Sequence, residues 1–244
     1  MLPFYDDVAI EPGVWLGEWL HDEISNAIII ERTGFFPDQV SRVSERLQAN
    51  RAAEARFVVE IPWYSLFTAF TAPGRYIYFS RRLLERCPND ETVAFVIAHE
   101  MAHHDLGHFD VFRRRFARQA LKYGPGSLLV LFFRVLQNRV YRLDWETAAD
   151  LRAIELCVAA GYSGRKCLEL FDVLEKWALY HLDYAAVYGL EAESDEELSP
   201  EASLLTKARI KLYLRRRGYL PIQDRRALVA RHLEKLAPGM PASE

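Results

Sequence analysis

Apolar residues recur along the chain with two different periods, and the change from one to the other divides the sequence. In the first third they come in short runs. Val14 to Leu20 and Ala27 to Arg32 are rich in β-formers and are separated by the polar stretch HDEISN, which predicts a hairpin. After Pro37, Val40, Val43 and Leu47 recur at helical spacing within DQVSRVSERLQANRAAEA, which predicts an amphipathic helix laid over a sheet. Phe57 to Trp63 (FVVEIPW) and Tyr76 to Ser80 (YIYFS) have strand composition, and Pro73-Gly74 between FTAFTA and RYIYF supplies turn chemistry. Two or three strands are expected here, in a small antiparallel sheet. Pro62 belongs at an edge or strand end, because it has no N–H to give to a ladder.

From Asn89 onward the period becomes helical. Asn89 or Asp90 can cap a helix whose first turn carries Glu91, where an acid suits the helix dipole. Further helices are predicted over Tyr141 to Ala160, Ser163 to Tyr188, Ala202 to Arg217 and Gln223 to Leu236. The acidic segment EAESDEELSPE, residues 191–201, reads as a surface loop, and as a lid over a cleft in the sharper reading. The pattern predicts an α+β, mainly helical fold. Residues 1–56 form a hairpin and amphipathic helix packed on a larger unit over residues 57–244.

Composition narrows the function. With 50% hydrophobic residues the chain can bury a core without staples. Net charge is -3 from 31 basic and 34 acidic side chains, so no global field favours nucleic acid. Cys87, Cys157 and Cys167 are odd in number and form no C-x-x-C pair, which argues against a disulfide framework. The start, MLPFYDDVAIEPG, has acids where a signal peptide has bases and lacks an apolar core, so a cytoplasmic location is expected. The apolar run SLLVLFF, from Ser127 to Phe133, stops at Arg134, short of the ~20 residues of a spanning helix. Residues 127–136 follow the basic run Arg113-Arg114-Arg115. They can lie on a membrane surface or pack into the core, and the pattern leaves both readings open.

The densest chemistry lies in AFVIAHEMAHHDLGH, residues 94–108, which holds four of the seven histidines. His99 and His103 are four residues apart, hence on one helical face and within reach of one metal ion. Glu100 stands beside that face, where a carboxylate can take a proton from an activated water. Two core histidines with Glu100 between them would leave a buried acid without purpose, which is expensive. His104 points about 100° round the helix from His103 and His108 lies more than a turn beyond it, so both are expected to face away from the metal in structural roles. A catalytic zinc site needs a third protein ligand. Glu146 in DWETAADLRAIEL can supply it, with Asp150 one turn on to hold a ligand histidine's other nitrogen. From spacing alone, Glu146 and Asp150 can equally be surface acids paired with Arg142 or Arg152.

HEMAHHDLGH resembles the active-site helix of the HtpX, CAAX prenyl protease and BepA-like zinc metallopeptidases, a gluzincin family. ETAAD resembles that family's E-x-x-A-D signature. TAFTAPGRYIYFSRRLL, from Thr68 to Leu84, and AAGYSGRKCLELF, from Ala159 to Phe171, resemble two further family segments in family order. The resemblance implies a zincin-like domain over residues 57–244 with one zinc ion on His99, His103 and Glu146, and with Glu100 in catalysis. It also implies that Ala69, Phe70 and Thr71 form the rim strand that pairs with an extended substrate. Two positions depart from the family pattern: Thr68 stands for its asparagine, and Arg75 for its second glycine. Arg209 matches a family arginine that orients substrate or stabilises the oxyanion, but the accompanying histidine is missing; His181, Tyr184 or Tyr188 is a substitute donor.

The expected function is a zinc-dependent endopeptidase acting on protein or peptide substrates through a metal-activated water. The alternative is a metal-bound module, idle or latent, that holds a partner chain. Membrane-embedded relatives carry spanning helices that this chain lacks, so the resemblance is to the soluble branch.

Overall fold

The computed structural model describes residues 12–63, 67–108, 143–178 and 222–236. The chain opens with a helix, α1 (Pro12–Ala27), where a hairpin was expected, followed by the two-residue strand β1 (Ile30–Glu31). Spacing overrides β-propensity here. Gly17, Leu20 and Ile24 fall on one helical face and are buried, while Glu18 and Asp22 point to solvent. Proline is the first residue of α1, where its missing N–H costs nothing.

The amphipathic helix α2 (Phe35–Leu47) buries Val40, Val43 and Leu47 as the pattern predicts, with Pro37 in its first turn. Gln48, just beyond it, acts as a side-chain strand partner: its carboxamide accepts from Phe57 N–H and donates to Phe57 C=O. Phe57 leads into β2 (Val58–Pro62), with Pro62 at the strand end as expected. β3 (Ala69–Ala72) and β4 (Tyr76–Phe79) form a hairpin across Pro73-Gly74. The turn needs its glycine twice over. Gly74 has φ +77°, and a Cβ there would stand 2.8 Å from the Cα of Gly17 where α1 crosses.

The sheet order is β1-β2-β4-β3. It is mixed rather than antiparallel, because β2 and β4 run parallel while the other two pairings are antiparallel. After β2 the chain crosses to the far edge to form β3, and the tight hairpin then inserts β4 beside β2 in the same direction. β3 is left at the edge.

Ser80 caps the short helix α3 (Arg81–Leu84). Asn89 caps α4 (Asp90–Asp105), accepting from Thr92 N–H at 2.9 Å, with Asp90 and Glu91 in the first turn. α4 is the central helix, with Val93 through Ala98, Met101 and Ala102 all buried. It is covered by the sheet and α2 on one side and by α5 (Leu143–Ala159), α6 (Gly164–Cys167) and α7 (Glu169–Ala178) on the other. A helix apolar all round must be enclosed in this way. The single helix predicted from Ser163 is broken at Leu168 into α6 and α7. There Phe171 crosses onto Phe95 edge-on, with ring centroids 5.5 Å apart. α8 (Ile222–Leu236) packs against α5 and α7, and a Cβ on Gly164 would collide with Leu233.

The result is a mainly helical α+β zincin-like domain. No helix among the described residues is long and apolar enough to cross a membrane. The apolar patch 127–136, the basic run at 113–115, the acidic segment 191–201 and the helix expected over 202–217 lie outside the described residues.

Candidate metal centre

The last two turns of α4 emerge between β3 and α5, which brings His99 and His103 opposite Glu146. His99 Nε2 and His103 Nε2 are 3.1 Å apart. One Glu146 oxygen lies 3.6 Å from His99 Nε2 and the other 3.5 Å from His103 Nε2. Ligands 2.0–2.2 Å from one tetrahedral ion stand about 3.3 Å from each other, so two imidazole nitrogens and a carboxylate that turns one oxygen to each of them fit a single zinc-sized cation. Among the described residues these three form the group of His, Cys, Asp and Glu side chains close enough to share an ion.

The outer nitrogens set the tautomers. His99 Nδ1 lies 2.9 Å from Asp150 Oδ1, so Nδ1 carries the proton and Nε2 is turned to the centre. His103 Nδ1 lies 2.9 Å from His108 Nδ1. His108 therefore does not face away, as its distance along the helix suggested. Gly107, at φ +69°, ends α4 in the left-handed region, and His108 N–H closes back onto His103 C=O at 3.0 Å. The returning ring stacks on Trp145 of α5, 4.8 Å away and 7° from parallel. His104 points to the sheet instead, with Nε2 2.6 Å from Thr71 Oγ1.

Asp150 is 1% exposed, and it is held by a residue that the sequence pattern does not single out. Arg225 on α8 donates from Nε to Oδ2 at 2.7 Å and from Nη2 to Oδ1 at 2.8 Å, and Nη2 lies 3.6 Å from Glu146. Two adjacent arginines in a polar-faced helix, Arg225 and Arg226, give no local sign of which one turns inward. Arg209, His181, Tyr184 and Tyr188 lie outside the described residues.

Electrostatics follow from burial around these carboxylates. Burial opposes charge on His99, but its hydrogen bonds to Asp150 and Glu146 prevail and raise its pKa to about 10. Burial, with the neighbouring charge on His99, lowers His103 to about 3. Against their own burial, His99 and Arg225 hold Glu146 and Asp150 below the ordinary carboxylate range. The cluster thus keeps a single positive charge on the paired imidazoles, on His99. Burial raises Glu100 to about 7, with Glu146 adding to it and the charge on His99, and to a lesser degree the Thr71 main chain, opposing it. Burial lowers His104 to about 4, aided by Arg75.

Of the three expected rim residues, two turn their peptide groups outward. Ser80 N–H donates to Thr68 C=O at 3.0 Å, so the alternating register turns the peptides of Thr68, Phe70 and Ala72 toward β4. Ala69 and Thr71 face the open edge, where no strand pairs among the described residues. Thr68, where the resembling segments have asparagine, donates its hydroxyl proton to Ala69 C=O at 3.1 Å.

Comparison with family models matches residues 37–215 to the family described as peptidase family M48, a span of more than half the chain that includes β2 to β4, α4 and α5. Comparison with curated proteins gives no match.

Proposed function

Because the chain belongs to peptidase family M48, a family of metallopeptidases, we propose that it is a zinc-dependent endopeptidase whose centre is built by His99, His103 and Glu146, with Glu100 as its acid–base group. The observation that carries the reading is the convergence of two imidazole nitrogens from α4, 3.1 Å apart, on the two oxygens of Glu146 from α5, at 3.5 and 3.6 Å, beside the buried carboxylate of Glu100. A zinc ion held there supplies a Lewis acid for a carbonyl oxygen and lowers the pKa of water to ~7.

The chain's own residues do the rest. Glu100, buried beside the metal-facing histidines, can accept a proton from the attacking water and return it to the leaving amine. Asp150 fixes the His99 tautomer, His108 meets the outer nitrogen of His103, and Arg225 holds Asp150. An extended peptide lies antiparallel to β3, pairing with the outward main chain of Ala69 and Thr71. The Phe70 peptide is engaged with Tyr78 and its ring is buried against the Tyr78 ring, so Phe70 offers the peptide no main-chain group.

Turnover of an unfolded protein by the zinc-loaded wild type and Glu100→Gln tests the reading. The variant should keep its zinc and lose at least about a hundredfold in kcat. Full activity in Glu100→Gln, or no zinc-dependent turnover in the wild type, sinks it.

A further inference from the structure

Resting on the peptidase reading, we propose that His104 is a positioning residue: through the Thr71 side chain it fixes the rim strand on the catalytic helix, and so sets where the strand's outward main chain stands relative to the metal-facing residues. His104 follows a metal-facing histidine, but the helical rotation of about 100° aims it at β3 instead of the centre. Its Nε2 lies 2.6 Å from Thr71 Oγ1, and Thr71 donates its only hydroxyl proton to Tyr76 C=O at 3.0 Å. The hydroxyl is thus shared between the imidazole and the β4 carbonyl. The Thr71 end of the pair is closed off from water. Thr71 is 0% exposed, and Phe57 stands edge-on to the His104 ring with centroids 5.1 Å apart.

Thr71 is thereby held at both ends. Its hydroxyl is tied to α4 and to β4, and its amide N–H faces the open edge. β3 needs such a tie. It is four residues long and has β4 alone as a strand neighbour among the described residues. Sliding β3 along α4 by about 1 Å would carry a peptide paired with Ala69 and Thr71 out of line with His99, His103 and Glu100, a displacement large enough to cost a reaction substantially. His104 sets that offset.

Three variants test the link by two readouts. His104→Leu removes one partner, Thr71→Val removes the other in the same volume, and His104→Gln puts a polar amide close to the position of Nε2. Amide hydrogen exchange in β3, Thr71 above all, should speed up about tenfold in His104→Leu and in Thr71→Val, while α7 stays unchanged and His104→Gln stays near wild type. In the zinc-loaded enzyme kcat should fall about tenfold in the same two variants, with KM changed less than about twofold, and His104→Gln should recover most of the rate. The double variant His104→Leu/Thr71→Val should be no slower than either single variant, because both cut one link. Unchanged β3 exchange in His104→Leu, or equal losses in the Leu and Gln variants, overturns the proposal. A wild type without turnover would instead sink the peptidase reading, and the exchange data would still decide the role of His104.

Discussion

Arg75 carries a cost that its neighbours only partly offset. It has φ +65°, the left-handed region that an L side chain enters at about 1–2 kcal/mol, and it stands where the resembling segments have glycine. The hairpin keeps a glycine's backbone without the glycine. In return the side chain reaches Ala55 C=O at a long 3.4 Å and lies 5.7 Å from the Phe57 ring centroid, both weak contacts. Arg75→Gly should therefore hold or raise the stability of the protein, whereas Arg75→Ala keeps the strain and loses the contacts. Denaturant unfolding should find the glycine variant more stable than the alanine variant by about 1 kcal/mol. Equal stabilities would mean that the backbone at Arg75 is unstrained.

At the scale of elements, legibility follows how locally each signal is written. His99 and His103 share a face because 3.6 residues make a turn, and the cap at Asn89 is readable from its own neighbours, so α4 could be placed from its sequence. Val14 to Leu20 misled because β-formers at helical spacing carry two conflicting signals, and the one that buried Leu20 and Ile24 prevailed. The parallel pairing of β2 with β4 is set by a crossover that no local pattern records. The same limit hid Arg225, which reaches Asp150 across 75 residues from a helix beyond the segment that matches the family. α8 contributes through that one side chain. Arg225→Met should weaken zinc binding by about ten- to a hundredfold in competition with a chelator, since Asp150 then orients His99 without its own support. Lysine should not restore it, because one ammonium cannot replace a bond to each Asp150 oxygen. A lysine variant that binds zinc like the wild type would reduce Arg225 to a source of charge.

In the whole molecule, proton, cation and fold are linked through His99. In the metal-free protein its pKa is raised from an ordinary 6.5 to about 10, against burial, by the hydrogen bonds to Asp150 and Glu146. A group whose folded pKa lies above its unfolded value stabilises the fold fully below the unfolded value, and that contribution fades as pH rises through the folded one. The metal-free protein should thus lose stability between about pH 6.5 and 10. The depressed pKa values of Glu146 and Asp150 describe the same contacts from the other side and add no second contribution in that window. Zinc needs the lone pair that this proton occupies, so its apparent affinity should climb about tenfold per pH unit across the same range. Because the ion binds the folded chain alone, saturating zinc should raise the unfolding temperature most where the proton has been lost, toward pH 9 to 10. Titrating zinc into chelator-treated protein in weak buffer near pH 8 should release close to one proton per ion, read with an indicator dye. Release of none would place the proton elsewhere in the cluster and would break the tie between His99 and its two carboxylates on which this pH dependence rests.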